Sequence, residues 1–294
     1  MKLALWSAPL GRGRGCGPCG GVGGGEAFPG TTVVRMTNTY ASSAGLEGKA
    51  AIVTGAAQGI GRGIVQALTE RGASVLLVDH NAETLARTVE GLDGRRVVSL
   101  VSDIRAVGEA ERIVAAAVEA FSRVDVLVNN AIATRAAGAF TEHSDEDYDL
   151  VFETGPRATF RLMKAAFPHL VASGSGSVVN LGSSAGTEGQ AGWATYAAAK
   201  EAIRGLSKVA ATEWGAANVR VNVVCPFANS EGAQLWEQYD PESFGAALAK
   251  VPMQRIGDTR TDVGALVAFL ASDDATYITG QTIMIDGGWG MHRI

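Results

Sequence analysis

The 294-residue chain has few cysteines, no long apolar run and no large excess of either charge. Its three cysteines, Cys16, Cys19 and Cys225, cannot build the disulfide framework of a small secreted protein, so we expect a reducing, cytoplasmic setting. No apolar stretch approaches the roughly 18–20 residues that cross a bilayer, and no membrane partner is expected. A net charge of −5 argues against a general attraction to nucleic acid or anionic lipid. The four histidines lack metal-ligand spacing, so no metal site is expected.

The first 45 residues differ in composition from the rest of the chain. The segment 11–25 is dense in glycine and offers almost nothing to bury, which is typical of disorder. We therefore predict a poorly ordered, glycine-rich extension over residues 1–45, and we expect residues 1–35 to be dispensable for chemistry. Hydrophobic residues make up 47% of the chain, which is enough for one sizeable core in residues 46–294.

From Lys49 onward, short apolar bursts alternate with longer amphipathic stretches. Bursts rich in β-branched residues are typical of parallel strands that are buried on both faces. The intervening stretches have helical length and apolar residues every three or four positions. The pattern predicts a single α/β domain with a doubly wound, seven-stranded parallel sheet, which is a Rossmann fold. The predicted strands are 50–53, 74–78, 97–101, 124–128, 177–180, 219–224 and 282–285.

A glycine-rich turn joins the first predicted strand to the helix that follows it, with the sequence Thr-Gly-Ala-Ala-Gln-Gly-Ile-Gly over 54–61. Gly55 permits a tight turn, Gly59 lets backbone N–H groups approach a diphosphate, and Gly61 permits close packing of helix on strand. The helix N-terminus then faces the negative charge. A glycine triplet between a strand and a helix predicts a dinucleotide site. The residues expected to form it are Gly55, Gln58, Gly59, Ile60 and Gly61.

Asp79 ends the second predicted strand. A carboxylate at this position can accept hydrogen bonds from both ribose hydroxyls of an adenosine, and it repels a 2′-phosphate. The glycine turn offers Ala57 and Gln58 rather than a basic residue, and His80 is the only nearby basic candidate. The sequence therefore favours NAD over NADP. Asp79 could at the same time cap the helix that follows it.

Ser183, Tyr196 and Lys200 form the predicted catalytic set. Lys200 follows Tyr196 by four residues, so both side chains leave the same face of a helix. An ammonium beside the phenol favours the phenolate and is expected to lower the tyrosine pKa from its ordinary value near 10. Ser183 can donate a hydrogen bond to a substrate oxygen and hold it beside Tyr196. The three residues predict proton transfer at a substrate oxygen.

In this order, the motifs resemble those of the short-chain dehydrogenase/reductase family, over roughly residues 46–288. Besides the glycine turn and the catalytic set, the resemblance rests on Asn129-Asn130-Ala131, Arg220-Val-Asn222, Thr279-Gly-Gln281 and Asp286-Gly-Gly288. It implies an NAD(H)-dependent enzyme that interconverts a secondary alcohol and a ketone, with Lys200 also holding the nicotinamide ribose. The cofactor-binding residues that it adds are Asp103, Ile104, Asn130, Ala131, Tyr196, Lys200, Pro226 and Asn229.

Three positions depart from the family's pattern. Ile132 and Phe227 stand where glycines are usual, and Gly155 stands where a proton-relay asparagine is usual. The threonine that contacts the nicotinamide amide is missing, with Asn229 or Ser230 as the candidates to replace it. Because these changes spare the catalytic set, an alcohol/ketone oxidoreductase is favoured. The alternatives are a carrier-linked 3-oxoacyl reductase and a dinucleotide-binding sensor or scaffold with weak catalysis.

Substrate choice is expected to depend on a lid around residues 229–253, which is apolar enough to fold over a ligand. Trp236 in this lid, with Trp193 and Ile132, is expected to contact the substrate; the alternative is that the aromatic residues pack the lid or a subunit contact. The chain has no obvious basic cluster for the phosphate of CoA or an acyl carrier. We therefore expect a neutral, moderately apolar alcohol or ketone, cyclic or aromatic.

Two long helices are predicted over residues 145–171 and 191–214. The resemblance implies that such helices form subunit contacts in a homotetramer or homodimer. Small residues along the second helix would permit close helix packing, although they would equally permit packing on the sheet.

Overall fold

A seven-stranded parallel sheet forms the centre of the protein. The computed structural model describes residues 45–92, 94–135 and 137–290, so the predicted extension over 1–45 lies almost entirely outside the described residues. The strand order is β3-β2-β1-β4-β5-β6-β7, which confirms the doubly wound fold predicted from the sequence. The strands are β1 Ala50–Thr54, β2 Ser74–Asp79, β3 Val97–Val101, β4 Val126–Asn129, β5 Gly176–Leu181, β6 Val219–Pro226 and β7 Thr282–Ile285.

Helices cover both faces of the sheet and follow the strands in chain order. The helices are α1 Gly59–Glu70, α2 Ala82–Glu90, α3 Glu109–Phe121, α4 Asp145–Phe152, α5 Ala158–Ala172, α6 Ser184–Glu188, α7 Ala194–Trp214, α8 Glu231–Tyr239, α9 Pro241–Leu248 and α10 Ala265–Ala271.

Successive residues of the central strands supply two separate cores. In β1, Ala51 and Val53 belong to the core beneath α1 and α10, whereas Ala50 and Ile52 belong to the core beneath α3 and α5. This follows from the two-residue period of a strand, whose side chains point alternately to opposite faces. Central strands are therefore buried throughout, while the edge strands β3 and β7 retain exposed or half-exposed residues.

The predicted long helix over 145–171 is interrupted in the structure. A π-helical turn, Glu153–Arg157, separates α4 from α5. Pro156 lies inside this turn and has no N–H to donate, so the regular hydrogen-bond ladder cannot pass through it. The helix predicted over 191–214 begins three residues later, as α7, because Gly192 has a φ of +85°, which no helical residue adopts.

The chain leaves β1 toward β2 and later returns to β4 on the other side of β1. In parallel α/β sheets, this reversal opens a crevice at the carboxyl ends of the two strands, where ligands bind. Among the described residues, no helix is long and apolar enough to cross a membrane.

Candidate active site

A cleft of about 620 Å³ opens at this crevice, between the carboxyl ends of the strands and the start of α8. A volume of this order is typical of a small-molecule or cofactor site. Nine of the residues that the sequence assigns to cofactor binding line the cleft, together with Ile132 from the substrate prediction. The nine are Gly55, Gln58, Gly59, Ile60, Asp79, Asp103, Ile104, Asn130 and Ala131.

The glycine turn has no room for side chains where its backbone lies closest to α1 and to the segment after β4. A Cβ atom on Gly61 would lie 2.0 Å from the carbonyl oxygen of Gly55, so α1 could not pack this closely on the turn with any other residue there. Asn130, the residue after β4, fixes the turn, because its Nδ2 donates to the carbonyl oxygens of Thr54 and Gly55 at 2.9 and 3.1 Å. The turn is therefore held rigidly, with the N-terminus of α1 directed at the cleft.

Asp79 ends β2, as predicted, and only 8% of it is exposed. Its carboxylate accepts hydrogen bonds from the backbone N–H of Ala57 at 3.1 Å and of Asn81 at 3.0 Å. The second bond lies just before α2, but Asn81, not Asp79, is the residue that caps that helix, accepting from Thr84. Two carboxylate oxygens have about four acceptor sites, so Asp79 keeps capacity for ribose hydroxyls at the cleft.

These features fit a dinucleotide. Side chains are excluded where a diphosphate has to approach the backbone, and a carboxylate is fixed one strand away, where a ribose would lie. Gly55, Gly59 and the N-terminus of α1 would hold the diphosphate, and Asp79 the adenosine ribose. Asp103 reaches the cleft with its carboxylate already paired to Arg105 at 2.7 Å.

The structure brings the three predicted catalytic residues together at the carboxyl end of β5. Ser183 follows that strand and caps α6, its Oγ accepting from the backbone N–H of Ala185 at 3.1 Å. Lys200 on α7 donates from Nζ to the carbonyl oxygen of Leu181, the last residue of β5, at 2.7 Å. The same Nζ lies 5.5 Å from the centre of the Tyr196 ring. The three residues therefore meet at the carboxyl edge of the sheet, where the cleft opens.

Burial determines the protonation of this set. Loss of solvation raises the pKa of Tyr196 above its ordinary value, and the hydrogen bond from Ser183 opposes this rise. The expected lowering of the tyrosine pKa is therefore not found in this structure, because removal from water favours the neutral phenol. Burial likewise lowers the pKa of Lys200 to about 8. At pH 7 the phenol is protonated and the lysine is mostly charged.

The titration of Lys200 should make the free energy of unfolding depend on pH. Its pKa is about 8 in the folded protein and 10.5 as a model value, so the unfolded chain binds more protons between these pH values. The destabilisation from this group is therefore complete below pH 8 and is lost as pH rises toward 10.5. At ~1.4 kcal/mol per pKa unit, it amounts to about 3 kcal/mol.

We expect Lys200→Met to remove this dependence. Denaturant unfolding from pH 7 to 10.5 should show the wild type gaining about 3 kcal/mol relative to the variant. Lys208→Met, at an exposed position on the same helix, serves as the control and should follow the wild type at every pH. Parallel curves for the wild type and Lys200→Met would contradict the lowered lysine pKa.

Two of the departures from the family's pattern, Ile132 and Gly155, contact each other. A Cβ atom on Gly155 would lie 2.9 Å from Cδ1 of Ile132 and 3.8 Å from Cβ of Ala199. The isoleucine side chain thus fills the space that a side chain at 155 would need. Thr154, the residue before, holds this wall by accepting from the backbone N–H of Ala133 at 3.0 Å. At the position where the family usually has a proton-relay asparagine, this chain therefore has an apolar contact.

The residues of the predicted lid form two short helices, α8 and α9. Trp236 on α8 packs edge-on against Phe244 on α9, with ring centres 5.3 Å apart, so the structure places it within the lid. Trp193 lies edge-on to Tyr196 at 5.6 Å and forms a wall beside the phenol. Of the three predicted substrate residues, Ile132 lines the cleft and Trp193 adjoins the catalytic set, whereas Trp236 does neither.

Some predicted cofactor residues lie outside the cleft lining. Pro226 ends β6 and pairs with Ile285 of β7, and Asn229 is exposed, with its backbone N–H donating to Gly257 at 2.8 Å. Gly61, Tyr196 and Lys200 are not part of the cleft lining either. Gly61 packs against the backbone of the turn, where a Cβ atom would meet the carbonyl oxygen of Gly55.

Sequence reasoning missed several residues that line the cleft, notably Thr154, Arg105 and Glu231. Arg105 follows the predicted Asp103 by two residues, so its spacing was a usable signal. Glu231 carries no such signal, because only the folding of α8 brings it to the glycine turn. Across the described ranges, no group of three or more histidine, cysteine, aspartate or glutamate side chains could hold a metal ion.

Comparisons with known proteins agree with this geometry. The family model described as enoyl-(acyl carrier protein) reductase matches residues 55–290. A 12α-hydroxysteroid dehydrogenase of Clostridium sp. is 40% identical over 253 residues, covering 83% of this chain and 97% of that protein. A 3-oxoacyl-(acyl-carrier-protein) reductase of Thermotoga maritima is 35% identical over 247 residues, covering 83% and 98%.

A solved structure shares the fold over nearly its full length. The crystal structure of levodione reductase is similar with a TM-score of 0.79 at 29% sequence identity, covering 84% of this chain and 99% of that one. The glycine turn at the switch point, the residues gathered at the end of β5 and these relatives lead to one conclusion. The chain belongs to the short-chain dehydrogenase/reductase family of oxidoreductases.

Proposed function

We propose that the protein is a reversible, NAD(H)-dependent oxidoreductase that interconverts a secondary alcohol and a ketone. The observation that carries the proposal is the meeting of Ser183, Tyr196 and Lys200 at the end of β5, beside the cleft that fits a dinucleotide. When bound, the nicotinamide supplies the hydride acceptor or donor, so that the protein's own side chains have to provide the proton chemistry.

Tyr196 is the proton-transfer group in this proposal. Its raised pKa keeps the phenol protonated at neutral pH, so the resting side chain is ready to donate a proton to a carbonyl oxygen. In the reverse direction the phenolate accepts the proton of an alcohol, and the raised pKa leaves less of the phenolate at neutral pH. Ketone reduction is therefore the direction that the resting state favours.

Ser183 and Lys200 both support this proton transfer. Ser183 uses an Oγ lone pair for the Ala185 N–H, which leaves its hydroxyl hydrogen for Tyr196 or a substrate oxygen. Lys200 is fixed by the Leu181 carbonyl with its charge near the Tyr196 ring. A cation held there stabilises negative charge that develops on the phenol oxygen during reduction.

The preference for NAD rests on Asp79. Its carboxylate is nearly buried and is fixed by two backbone N–H groups, so it cannot turn away from a 2′-phosphate. Two basic groups could favour NADP, but each is beside a carboxylate: His80 Nδ1 lies 3.2 Å from Asp79, and Arg105 pairs with Asp103. Because each of these basic groups already lies beside a carboxylate, both are consistent with a preference for NAD over NADP.

The substrate that we propose is a neutral, moderately apolar ketone or alcohol, cyclic or aromatic. Ile132 presents apolar surface to the cleft, and Trp193 presents apolar surface beside Tyr196. Two relatives support a cyclic substrate, because one is named as a dehydrogenase of a hydroxysteroid and the other as a reductase of levodione.

A second candidate is a carrier-linked 3-oxoacyl reductase. The Thermotoga maritima relative, named for that activity, is 35% identical to the chain and is covered over 98% of its length. Reduction of a 3-oxoacyl thioester in preference to free ketones would favour it over our proposal.

The decisive test is a turnover assay with purified protein. We expect NADH consumption at 340 nm with a panel of cyclic and aromatic ketones, and NADH formation with the matching alcohols. NADPH and a 3-oxoacyl thioester are run in parallel. Dinucleotide binding without turnover of any substrate would instead support the sensor or scaffold.

The protein is further proposed to be a homotetramer or homodimer. Helices α5 and α7 share an apolar hollow of about 380 Å³, whose lining includes Phe160 and Val209 with 52% and 58% of each exposed. Phe167 and Trp214 pack against each other in the same hollow with tilted rings, whose centres are 4.5 Å apart. An apolar patch of this kind marks an interaction surface, and two copies of one face can pair about a two-fold axis.

Light scattering tests the assembly. We expect a mass of at least twice the 30.3 kDa chain, and a lower mass for Val209→Glu, which places a charge in the hollow. Lys208→Glu, on the same helix and outside the hollow, is the control. A monomeric wild type would contradict the proposal.

A cytoplasmic location is proposed from the cysteine content, and cell fractionation tests it.

A further inference from the structure

A carboxylate of the lid lies on the glycine turn. Glu231, the first residue of α8, has its Oε2 atom 2.6 Å from the point where a Cβ atom of Gly59 would be. Its other oxygen, Oε1, lies 3.8 Å from Nη2 of Arg62 in the first turn of α1. Neither the sequence motifs nor the catalytic set accounts for this contact.

The position that Glu231 occupies is suited to an anion. Helix α1 has no acidic residue in its first turn, and Gln58 provides no side-chain cap. The free N–H groups there carry partial positive charge, and the nearby Arg62 adds a full one. Because Gly59 has no side chain, an anion can approach the backbone directly. Glu231 thus supplies the negative charge that the helix itself lacks.

We propose that Glu231 competes with the diphosphate of the dinucleotide for the N-terminus of α1, and that it thereby limits the affinity for the cofactor. The inference rests on the proposed dinucleotide binding. Two anions cannot share this place without strong repulsion, so the carboxylate has to leave before the diphosphate can bind. Only the state in which Glu231 has left is competent to bind, which weakens the apparent affinity in proportion to its population.

The surrounding structure permits this movement. The chain before α8 is anchored, since Asn229 N–H donates to Gly257 and Gly257 N–H donates to Phe227. Helix α8 itself has no fully buried residue, so few contacts oppose its displacement. Displacement of the α8 start, with the anchor at 227–229 unchanged, would free the glycine turn.

Calorimetric titration of NAD into wild type and Glu231→Gln tests the proposal. The amide keeps the size of the side chain and removes its charge. We expect the dissociation constant for NAD to fall by about tenfold, as for a competent state that is about one-tenth populated in the wild type. Glu242→Gln, which removes the same charge from α9 of the same lid outside the cleft, should bind as the wild type does.

Adenosine, which has no diphosphate, separates local competition from a general effect. We expect its affinity, measured by competition with NAD, to be the same for the wild type and Glu231→Gln. Unchanged or weaker NAD binding by Glu231→Gln overturns the inference, as does an equal gain for adenosine. Absence of NAD and NADP binding in all variants overturns the proposed function, and the inference with it.

Discussion

Tyr196→Phe should lower kcat for ketone reduction by about a thousandfold, since removal of a positioned acid–base group costs ~10²–10⁴ in rate. The affinity for NADH should remain within about twofold of that of the wild type, because the lost hydroxyl is not part of the cleft lining. Steady-state rates together with fluorescence titration of NADH measure both quantities.

The control is Tyr277→Phe, which makes the same chemical change at a fully exposed tyrosine. It should leave kcat and NADH binding unchanged. A Tyr196→Phe enzyme that keeps more than about a tenth of the wild-type kcat would contradict the role of the phenol. Equal losses in both variants would point to a general effect of the substitution.

The pH dependence should agree with the raised tyrosine pKa. Below that pKa the phenol is protonated, so ketone reduction should not fall as pH rises from 6 to 8 on account of Tyr196. Alcohol oxidation, which requires the phenolate, should increase with pH over the same range. The increase of alcohol oxidation with pH should disappear in the residual activity of Tyr196→Phe.

Asp79→Asn should reduce the preference for NAD over NADP by about 100-fold. The carboxylate repels a 2′-phosphate at close range, and such like-charge contacts cost several kcal/mol, where each ~1.4 kcal/mol is a factor of ten in affinity. The neutral amide removes the repulsion and can donate a hydrogen bond to the phosphate. Dissociation constants for NAD and NADP, measured for both proteins, give the ratio.

Asp79→Asn also loses an acceptor for one of the two backbone N–H groups that the carboxylate holds, so a stability loss of about 1 kcal/mol is expected. Glu83→Gln, which removes an exposed charge from α2 outside the cleft, should change neither the ratio nor the stability. An unchanged ratio in Asp79→Asn, or a wild type that prefers NADP, would contradict the assignment of Asp79.

Local sequence patterns were sufficient for the fold and for the local geometry of the glycine turn. All seven strands lie within a few residues of their predicted bounds, because a buried parallel strand has a distinctive run of apolar residues. The close approach of Gly61 to Gly55 and the shared face of Tyr196 and Lys200 follow equally from short-range geometry. Each of these predictions concerns residues close together in the chain.

The interruption at Glu153–Arg157 could not be predicted from the local sequence. Pro156 lies in this segment, but a proline alone does not determine whether a helix ends, kinks or widens into a π-turn. The packing of Ile132 against Gly155 is likewise invisible in the sequence, where the two appear as unrelated departures from the family's pattern.

By itself, the sequence determined the doubly wound sheet, the glycine turn and the position of Asp79 at the end of β2, and it predicted Ser183, Tyr196 and Lys200 as the catalytic set. Only the tertiary structure decided that burial raises the pKa of Tyr196 and that Glu231 lies on Gly59. The physical reason is that periodicity and turn chemistry act between neighbours in the chain, whereas solvation and charge contacts depend on which distant segments the fold brings together.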